Sequence, residues 1–174
     1  FSGHGIEVDN FTLSNTNGLT LDLDTDEVLT VQDVLTVTNG TLTTNDQVLL
    51  ACNFVDPDRR TAQIADLTNG DISGLVTVEQ CFPGRRAFRL VSPSVTTSTT
   101  IRENWQENQN NTGTNFPTDN QNSNDGYGTH ITGSQSGANG FDATPSGNPS
   151  MFMFSNANQN WSAVANTNAT TLTA

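Results

Sequence analysis

Three aspartates at alternate positions, Asp22, Asp24 and Asp26, with Glu27 directly after them, form the most acidic stretch of the sequence. Carboxylate oxygens are the hard ligands that Ca²⁺ binds. An EF-hand loop that begins at Asp22, however, needs Gly where Glu27 stands and Glu where this chain has Asp33. Calcium binding by this stretch therefore stays one of two interpretations, and no other metal or cofactor is predicted.

The same acidic stretch alternates with leucines, at Leu19, Leu21 and Leu23. Successive side chains of a strand point to opposite faces, so inward leucines place Asp22 and Asp24 in solvent. This second interpretation, a solvated strand face, needs no ion and is the one that we favour.

Side chains that could perform nucleophilic or acid–base catalysis form no recognisable set. The run Gly133–Gly137 has Gln in the middle, where a nucleophile motif has Ser. His130 lies in a Gly/Thr-rich loop and is interpreted as a structural, hydrogen-bonded residue. A glycosidase needs two paired carboxylates, and no spacing selects a pair among the carboxylates of the second half. These are Glu103, Glu107, Asp119, Asp125 and Asp142. The sequence therefore predicts a protein that is not an enzyme.

Three aromatic residues of the second half, Trp105, Tyr127 and Trp161, are candidates for carbohydrate contact. An aromatic ring is large and flat, and it can stack on a sugar ring. The same residues could instead anchor long loops on a thin core, which is the interpretation that we prefer. Both roles stay open at this point.

The net charge of −12, with no Lys in the chain, restricts the partners. An acidic surface repels nucleic acid and anionic lipid, so neither is expected as a partner. No apolar run approaches the ~20 residues that a membrane-spanning helix needs, and we expect no membrane insertion. Hydrophobic residues make up 33% of the chain, below the roughly 45–50% apolar share of a typical domain, a figure that also counts Gly. Thin layers of strands fit this composition better than one large core.

Short bursts of alternating apolar residues fill the first 50 residues and predict half-buried strands. The words Val28–Val31 and Val34–Val37 are identical, and Thr-Asn-Gly occurs three times, at 16–18, 38–40 and 68–70. Asn-Gly between strands indicates hairpins and an antiparallel meander. Recurring short strands with Asn/Gly corners equally indicate a solenoid-like stack. We predict an all-β fold with one of these two architectures in residues 1–80.

The second half, residues 81–174, is rich in Asn, Gly, Thr and Ser, with isolated aromatic residues. We predict a loop-rich, β-sandwich-like half with one further strand around Phe152 and Phe154. Almost no helix is expected anywhere, because no stretch sustains a 3.6-residue period.

A set of motifs lies in and after the segment 76–95. They are Pro83, Arg86, Ala87, Phe88, Arg89, Leu90, Ser92, Pro93 and Val95, followed by Trp105-Gln106, the run 128–133, Gly140-Phe141-Asp142 and Asn148-Pro149-Ser150. Together they resemble a unit of very large, repetitive, β-rich surface proteins of Bacteroidetes, which are similar to gliding-motility adhesins and to cargo of the type IX secretion system. The resemblance implies export, a solenoid-like rather than hairpin arrangement before this unit, and a chain cut from a longer polypeptide.

Export also bears on the two cysteines, Cys52 and Cys81. An oxidising compartment favours a disulfide between them, whereas two buried free thiols are the alternative.

The segment 76–95 contains three of the six arginines, Arg85, Arg86 and Arg89. These arginines are predicted to form salt bridges with acidic residues at the junction of the two halves, rather than a ligand site.

From these observations we expect a secreted module on the bacterial cell surface that spaces or presents binding surfaces in a large adhesin or extracellular filament. Its expected partners are neighbouring copies or repeats in an array, with surface glycans or other cells as further possibilities. The alternative is a carbohydrate-binding module attached to a secreted enzyme.

Overall fold

A computed structural model describes residues 5–53, 60–80, 88–106 and 128–174. The chain divides into two compact units, Phe1–Leu90 and Val91–Ala174. The described residues are mostly β-strand with almost no helix, which confirms the all-β prediction.

The described part of the first unit contains nine strands, most of them short. They are β1 (Ile6–Ser14), β2 (Leu19–Thr20), β3 (Leu29–Thr43), β4 (Val48–Leu50), β5 (Cys52–Asn53), β6 (Arg60–Thr61), β7 (Gln63–Ile64), β8 (Gly70–Ser73) and β9 (Thr77–Val78).

Within the described residues, seven of these strands form one sheet around the long strand β3, and all of their ladders are parallel. Ile6 pairs with Leu29, and Leu19 with Leu42, so each pair is separated by 23 positions. A two-residue hairpin joins only antiparallel neighbours, and parallel strands need a longer connection. Only β5 and β6 pair in antiparallel fashion in the described part of this unit.

The three Asn-Gly sites lie in different settings: Asn17-Gly18 is part of a turn before β2, Asn39-Gly40 lies within β3, and Gly70 begins β8. At the first site the amide of Gly18 donates to the carbonyl of Asn15 at 2.8 Å, and the chain continues into β2, which pairs with β3. Gly40 has a φ of 80°, and a Cβ there would overlap the carbonyl oxygen of Asn15. Glycine is therefore required at this position both for its left-handed backbone and for the close approach of the neighbouring turn.

The core of the first unit lies along the middle of the sheet. Its innermost side chains come from β3: Leu29, Val31, Leu35 and Val37 lie an even number of positions apart, and Leu42 follows Val37 by five positions, beyond the left-handed Gly40. Each is 2% exposed or less. Apolar residues of adjacent strands, which pair with them on either side, cover them.

The side chains of residues 44–47 form hydrogen bonds to neighbouring segments of the first unit. The Gln47 amide accepts from the backbone of Leu23 at 3.0 Å and donates to its carbonyl at 2.8 Å. The hydroxyl of Thr44, a fully buried polar residue, donates to the carbonyl of Leu75 at 2.7 Å. These bonds satisfy backbone groups where the strands end, and they hold three successive passes of the chain in register.

The second unit contains a short helix and four described strands. They are α1 (Ile101–Asn104), β10 (Thr132–Ser134), β11 (Asp142–Ala143), β12 (Phe152–Ser155) and β13 (Asn160–Ala163). Strands β10 and β11 pair in parallel, whereas β12 and β13 form an antiparallel hairpin. Strand β12 is the one predicted around Phe152 and Phe154.

A small apolar cluster holds the second unit together. It consists of Ile101, Ile131, Phe141, Val164 and Leu172, with Trp105 and Met151 packed against it. Helix α1 begins with a capping box, in which Thr100 and Glu103 bond to each other's backbone amides. The helix thereby places Ile101 in the cluster and brings Trp105 to its edge.

Candidate functional site

The side chains of the hairpin formed by β12 and β13 project from two opposite faces. Phe152 pairs with Ala163, and Phe154 with Trp161, so these four residues share one face. The opposite face begins at the base of the hairpin, where Val164 donates its backbone amide to the carbonyl of Met151 at 3.1 Å. Met151 and Val164 belong to the apolar cluster of the unit. The hairpin is therefore anchored by one face and leaves the aromatic face free of that cluster.

The aromatic face, defined as Phe152, Phe154 and Trp161, is exposed. The exposed fractions of these side chains are 44%, 47% and 55%. The rings of Phe154 and Trp161 lie 5.1 Å apart between centroids and are tilted by 48°, within the range of favourable aromatic pairs. Half-exposed aromatic rings on paired backbone are unusual for a residue type that normally fills cores. The face is therefore the strongest candidate for a binding surface among the described residues.

The chain on both sides of the aromatic face is polar and uncharged. From residue 143 to residue 174 the sequence has no Asp, Glu, Lys, Arg or His. The turn of the hairpin instead contains amides, Asn156, Asn158 and Gln159, with Asn160 at the start of β13. All four are exposed. Amide groups both donate and accept hydrogen bonds, so these side chains suit a ligand with many neutral hydroxyl or amide groups.

A second feature, the buried polar network, joins three segments of the same unit. Gln106 donates from Nε2 to Oδ2 of Asp142 at 3.1 Å and to the carbonyl of Gly140 at 3.0 Å. The backbone amide of Ile131 donates to the same Oδ2 at 2.7 Å. Asp142 and Gln106 are 0% and 1% exposed. These bonds are the compensation that a buried carboxylate needs.

His130, next to Ile131, is half-buried at the edge of this network. Burial of the imidazole lowers the pKa of His130 below its ordinary value of 6.5, and the negative charge of Asp142 opposes that shift. Within the described residues, Nε2 of His130, Oε1 of Gln106 and Oδ1 of Asp142 are buried without a hydrogen-bond partner. The polar groups of this cluster thus depend heavily on the few bonds that they do make.

The carboxylates considered for catalysis have separate roles or lie elsewhere. Glu103 caps helix α1, and Asp142 is fully buried in the polar network. Glu107, Asp119 and Asp125 lie outside the described residues. The described carboxylates of this unit are therefore engaged in holding the fold.

The three aromatic residues considered for sugar binding have different surroundings. Trp105 is half-buried against the apolar cluster, whereas Trp161 is 55% exposed on the hairpin. Tyr127 lies outside the described residues. Sequence reasoning missed Phe152 and Phe154 as companions of Trp161, although their two-residue spacing on a predicted strand was the available signal.

Asp22, Asp24 and Asp26 are all exposed. The backbone amide of Glu27 donates to the carbonyl of Asp24 at 3.0 Å, so the stretch is a turn rather than a strand. Within the described part of the chain, no group of three or more His, Cys, Asp or Glu residues is arranged to hold a metal ion. The leucines that alternate with these aspartates differ in burial, since Leu21 is 7% exposed and Leu19 is 38% exposed. The two-sided strand expected here is limited to Leu19–Thr20.

The predicted disulfide and junction salt bridges fall largely on residues that the structure does not describe. Cys52 is buried in β5, while Cys81 lies outside the described residues. Arg85 and Arg86 also lie outside them, and Arg89 is exposed. The pairing of these residues stays a prediction. An ion pair that was not anticipated joins Arg60 to Asp33 at 3.6 Å, and its exposure limits its contribution to stability to a few tenths of a kcal/mol.

Comparison of the chain with protein-family models, with curated proteins and with solved structures finds no match. None of the helices in the described ranges has the length and apolar character required to cross a bilayer. The case for a function therefore rests on the residues and their arrangement.

Proposed function

We propose that this chain is a secreted structural and adhesion module of the bacterial cell surface, which spaces and presents binding surfaces within a large adhesin or filament. In this proposal the first unit is a solenoid-like stack, and neighbouring copies or repeats add to its ends. The proposal treats the protein as a non-enzyme without a cofactor, working outside the cell.

The observation that carries this proposal is a difference in burial between paired residues: apolar side chains of the middle strand are buried, whereas their partners in the outer strands are partly exposed. Leu29 and Leu42 in the middle strand are 2% and 0% exposed, whereas their partners Ile6 and Leu19 in the outer strands are 53% and 38% exposed. On the other side, Ile64 is 36% exposed although it pairs with the fully buried Leu35.

This gradient is the pattern expected of stacked layers. An inner layer is covered from both sides, and an outer layer is covered from one side only. Another layer in the same register would cover the exposed apolar side chains, and the parallel ladders supply unpaired backbone edges for it. A second copy of the chain or a neighbouring repeat is the natural source of such a layer.

Two properties of the sequence support the surface role. The net charge of −12 without any Lys disfavours nucleic acid and anionic membranes as partners. The motifs of the second half resemble those of exported surface proteins of Bacteroidetes. Both fit a module whose partners are its own neighbours and surface glycans or other cells.

Light scattering and negative-stain electron microscopy of the purified chain test the array. We expect fibres or chains of particles whose length grows with protein concentration. Ile64→Asp places a charge on the exposed apolar position of β7 and should shorten or abolish them. Gln63→Asp adds the same charge at the neighbouring exposed residue and should leave them intact. Uniform 18.6 kDa particles at all concentrations would contradict the array.

The alternative function, a carbohydrate-binding module attached to a secreted enzyme, is favoured by a different observation, the exposed aromatic face of the hairpin. Such a module works as a single particle, so it predicts glycan binding without self-assembly. The microscopy and a binding measurement together separate the two functions.

A further inference from the structure

We propose that the aromatic face of the second unit, formed by Phe152, Phe154 and Trp161, is a binding site for a neutral glycan. This inference deepens the proposed adhesive function, because it names the chemistry of the partner. It does not require the array, since the site lies on one unit of a single chain.

The geometry of the hairpin makes the three rings a fixed platform. The register Phe152–Ala163, Met153–Ser162, Phe154–Trp161 and Ser155–Asn160 holds the two strands together along their whole length. The base of the hairpin is packed into the apolar cluster through neighbouring residues on the other face. The rings are therefore exposed on an ordered element, which lowers the entropic cost of binding.

The aromatic rings match the flat face of a sugar ring, and the neighbouring amides match its hydroxyl groups. The face of an aromatic ring carries negative electrostatic potential, so it attracts the C–H groups that line the flat side of a pyranose. The hydroxyl groups at the edge of the sugar need donors and acceptors, and the exposed amides of the turn, Asn156, Asn158 and Gln159, supply both.

The charge of the region decides which glycans fit. Residues 143–174 contain no acidic, basic or histidine side chain. An anionic polysaccharide would find no cation on the hairpin and would be repelled by a chain of net charge −12. A neutral glycan meets neither penalty.

The size of the face argues against a second copy of the chain as its occupant. Since a buried aromatic side chain covers about 200 Å², three rings that are half-exposed offer roughly 300 Å². A stable protein interface needs about 800 Å² from each partner. The face is instead the size of one or two sugar residues.

Calorimetric titration of the full chain tests this site, with neutral hexasaccharides of glucose, N-acetylglucosamine, mannose and galactose as probes and oligogalacturonate as the anionic comparison. We expect at least one neutral probe to bind and oligogalacturonate to bind more weakly. Trp161→Ala and Phe154→Ala should each weaken binding roughly tenfold or more, as the loss of a central aromatic contact does elsewhere.

Met153→Ala is the matched control. Met153 stands between the two phenylalanines on the same strand, is 42% exposed, and projects from the opposite face. It should bind like the unmodified chain, and thermal melts should show that all three variants are folded. If no neutral probe binds, if Trp161→Ala binds normally, or if Met153→Ala is equally weakened, the site is wrong. Dimers that disappear in Trp161→Ala would assign the face to a second copy instead. Glycan binding by single particles would uphold the site even if no array forms.

Discussion

The side-chain amide of Gln106 donates a hydrogen bond of 3.1 Å to the carboxylate of Asp142, and both residues are buried. They lie 36 positions apart in the sequence. Their bond joins the end of helix α1 to strand β11, and the amide of Ile131 completes the connection. The second unit thus depends on a polar contact inside a small apolar cluster.

Removing the carboxylate should destabilise the second unit strongly. Asp142→Ala leaves the amide of Ile131 without its 2.7 Å side-chain acceptor and leaves Gln106 with only the Gly140 carbonyl. Unsatisfied buried donors cost about 1–3 kcal/mol each, so we expect a loss of ~2–4 kcal/mol in the free energy of unfolding. Urea titration followed by tryptophan fluorescence measures it, since Trp105 and Trp161 both lie in this unit. Asp22→Ala, at an exposed position of the other unit, is the control and should change nothing; an equally stable Asp142→Ala would refute the role.

The parallel sheet of the first unit should respond differently to truncation in its middle strand and in its outer strands. Leu35 and Ile64 pair in register, but they are 0% and 36% exposed. Leu35→Ala should cost about 2–5 kcal/mol, because the cavity it leaves is enclosed. In dilute protein, where copies are not assembled, Ile64→Ala should cost less than half as much, because part of its surface then faces water. Thermal melts followed by circular dichroism of the β signal compare the two, and similar losses would mean that the outer layer is covered in solution.

The capping box of α1 predicts a pH dependence. Glu103 accepts from the backbone amide of Thr100 at 2.7 Å and from its hydroxyl at 2.8 Å. The backbone bond, and then the hydroxyl bond, lower the pKa of Glu103 below its ordinary value of 4.5. A group whose folded pKa is lowered stabilises the fold above its unfolded pKa, and this contribution is lost as the pH falls through the folded value.

Glu103→Gln separates this effect from the other titrating groups. Glutamine keeps a side chain that suits the capping box but does not ionise. The unmodified chain should melt at a higher temperature than the variant at neutral pH, and the difference should shrink as the pH falls below about 4.5. Melting curves at a series of pH values test this, and a difference that is constant with pH would exclude the carboxylate as the cause.

The pair Cys52 and Cys81 is predicted to form a disulfide. Closing a loop of this length stabilises a folded chain by about 3–4 kcal/mol in the chain-entropy model. Protein isolated without reductant and then unfolded should show no free thiol, and reduction should lower its melting temperature. Serine at both positions should reproduce the reduced state, whereas two titratable thiols in the unreduced protein would rule the bond out.

The sequence by itself determined that the protein is made of strands, because short runs of alternating apolar residues fill its first part. Period-two alternation marks Leu29, Val31, Leu35 and Val37 whatever their partners are, because side chains of a strand alternate between faces in every kind of sheet. For the same reason the alternation cannot tell parallel from antiparallel neighbours. The Asn-Gly pairs, which are compatible with hairpins, lie here in a turn before β2, within β3 and at the start of β8, and the strands beside them pair in parallel.

Tertiary structure alone decided which equivalent residues are covered and which are available for binding. Leu19 and Leu42 are both strand leucines, yet only the one with layers on both sides is buried. Trp105 packs on a core and Trp161 stands in solvent, although nothing in residue type distinguishes them. Burial is a property of the neighbours that long-range pairing supplies, and those neighbours, like the contact of Gln106 with Asp142, lie tens of residues away in the chain.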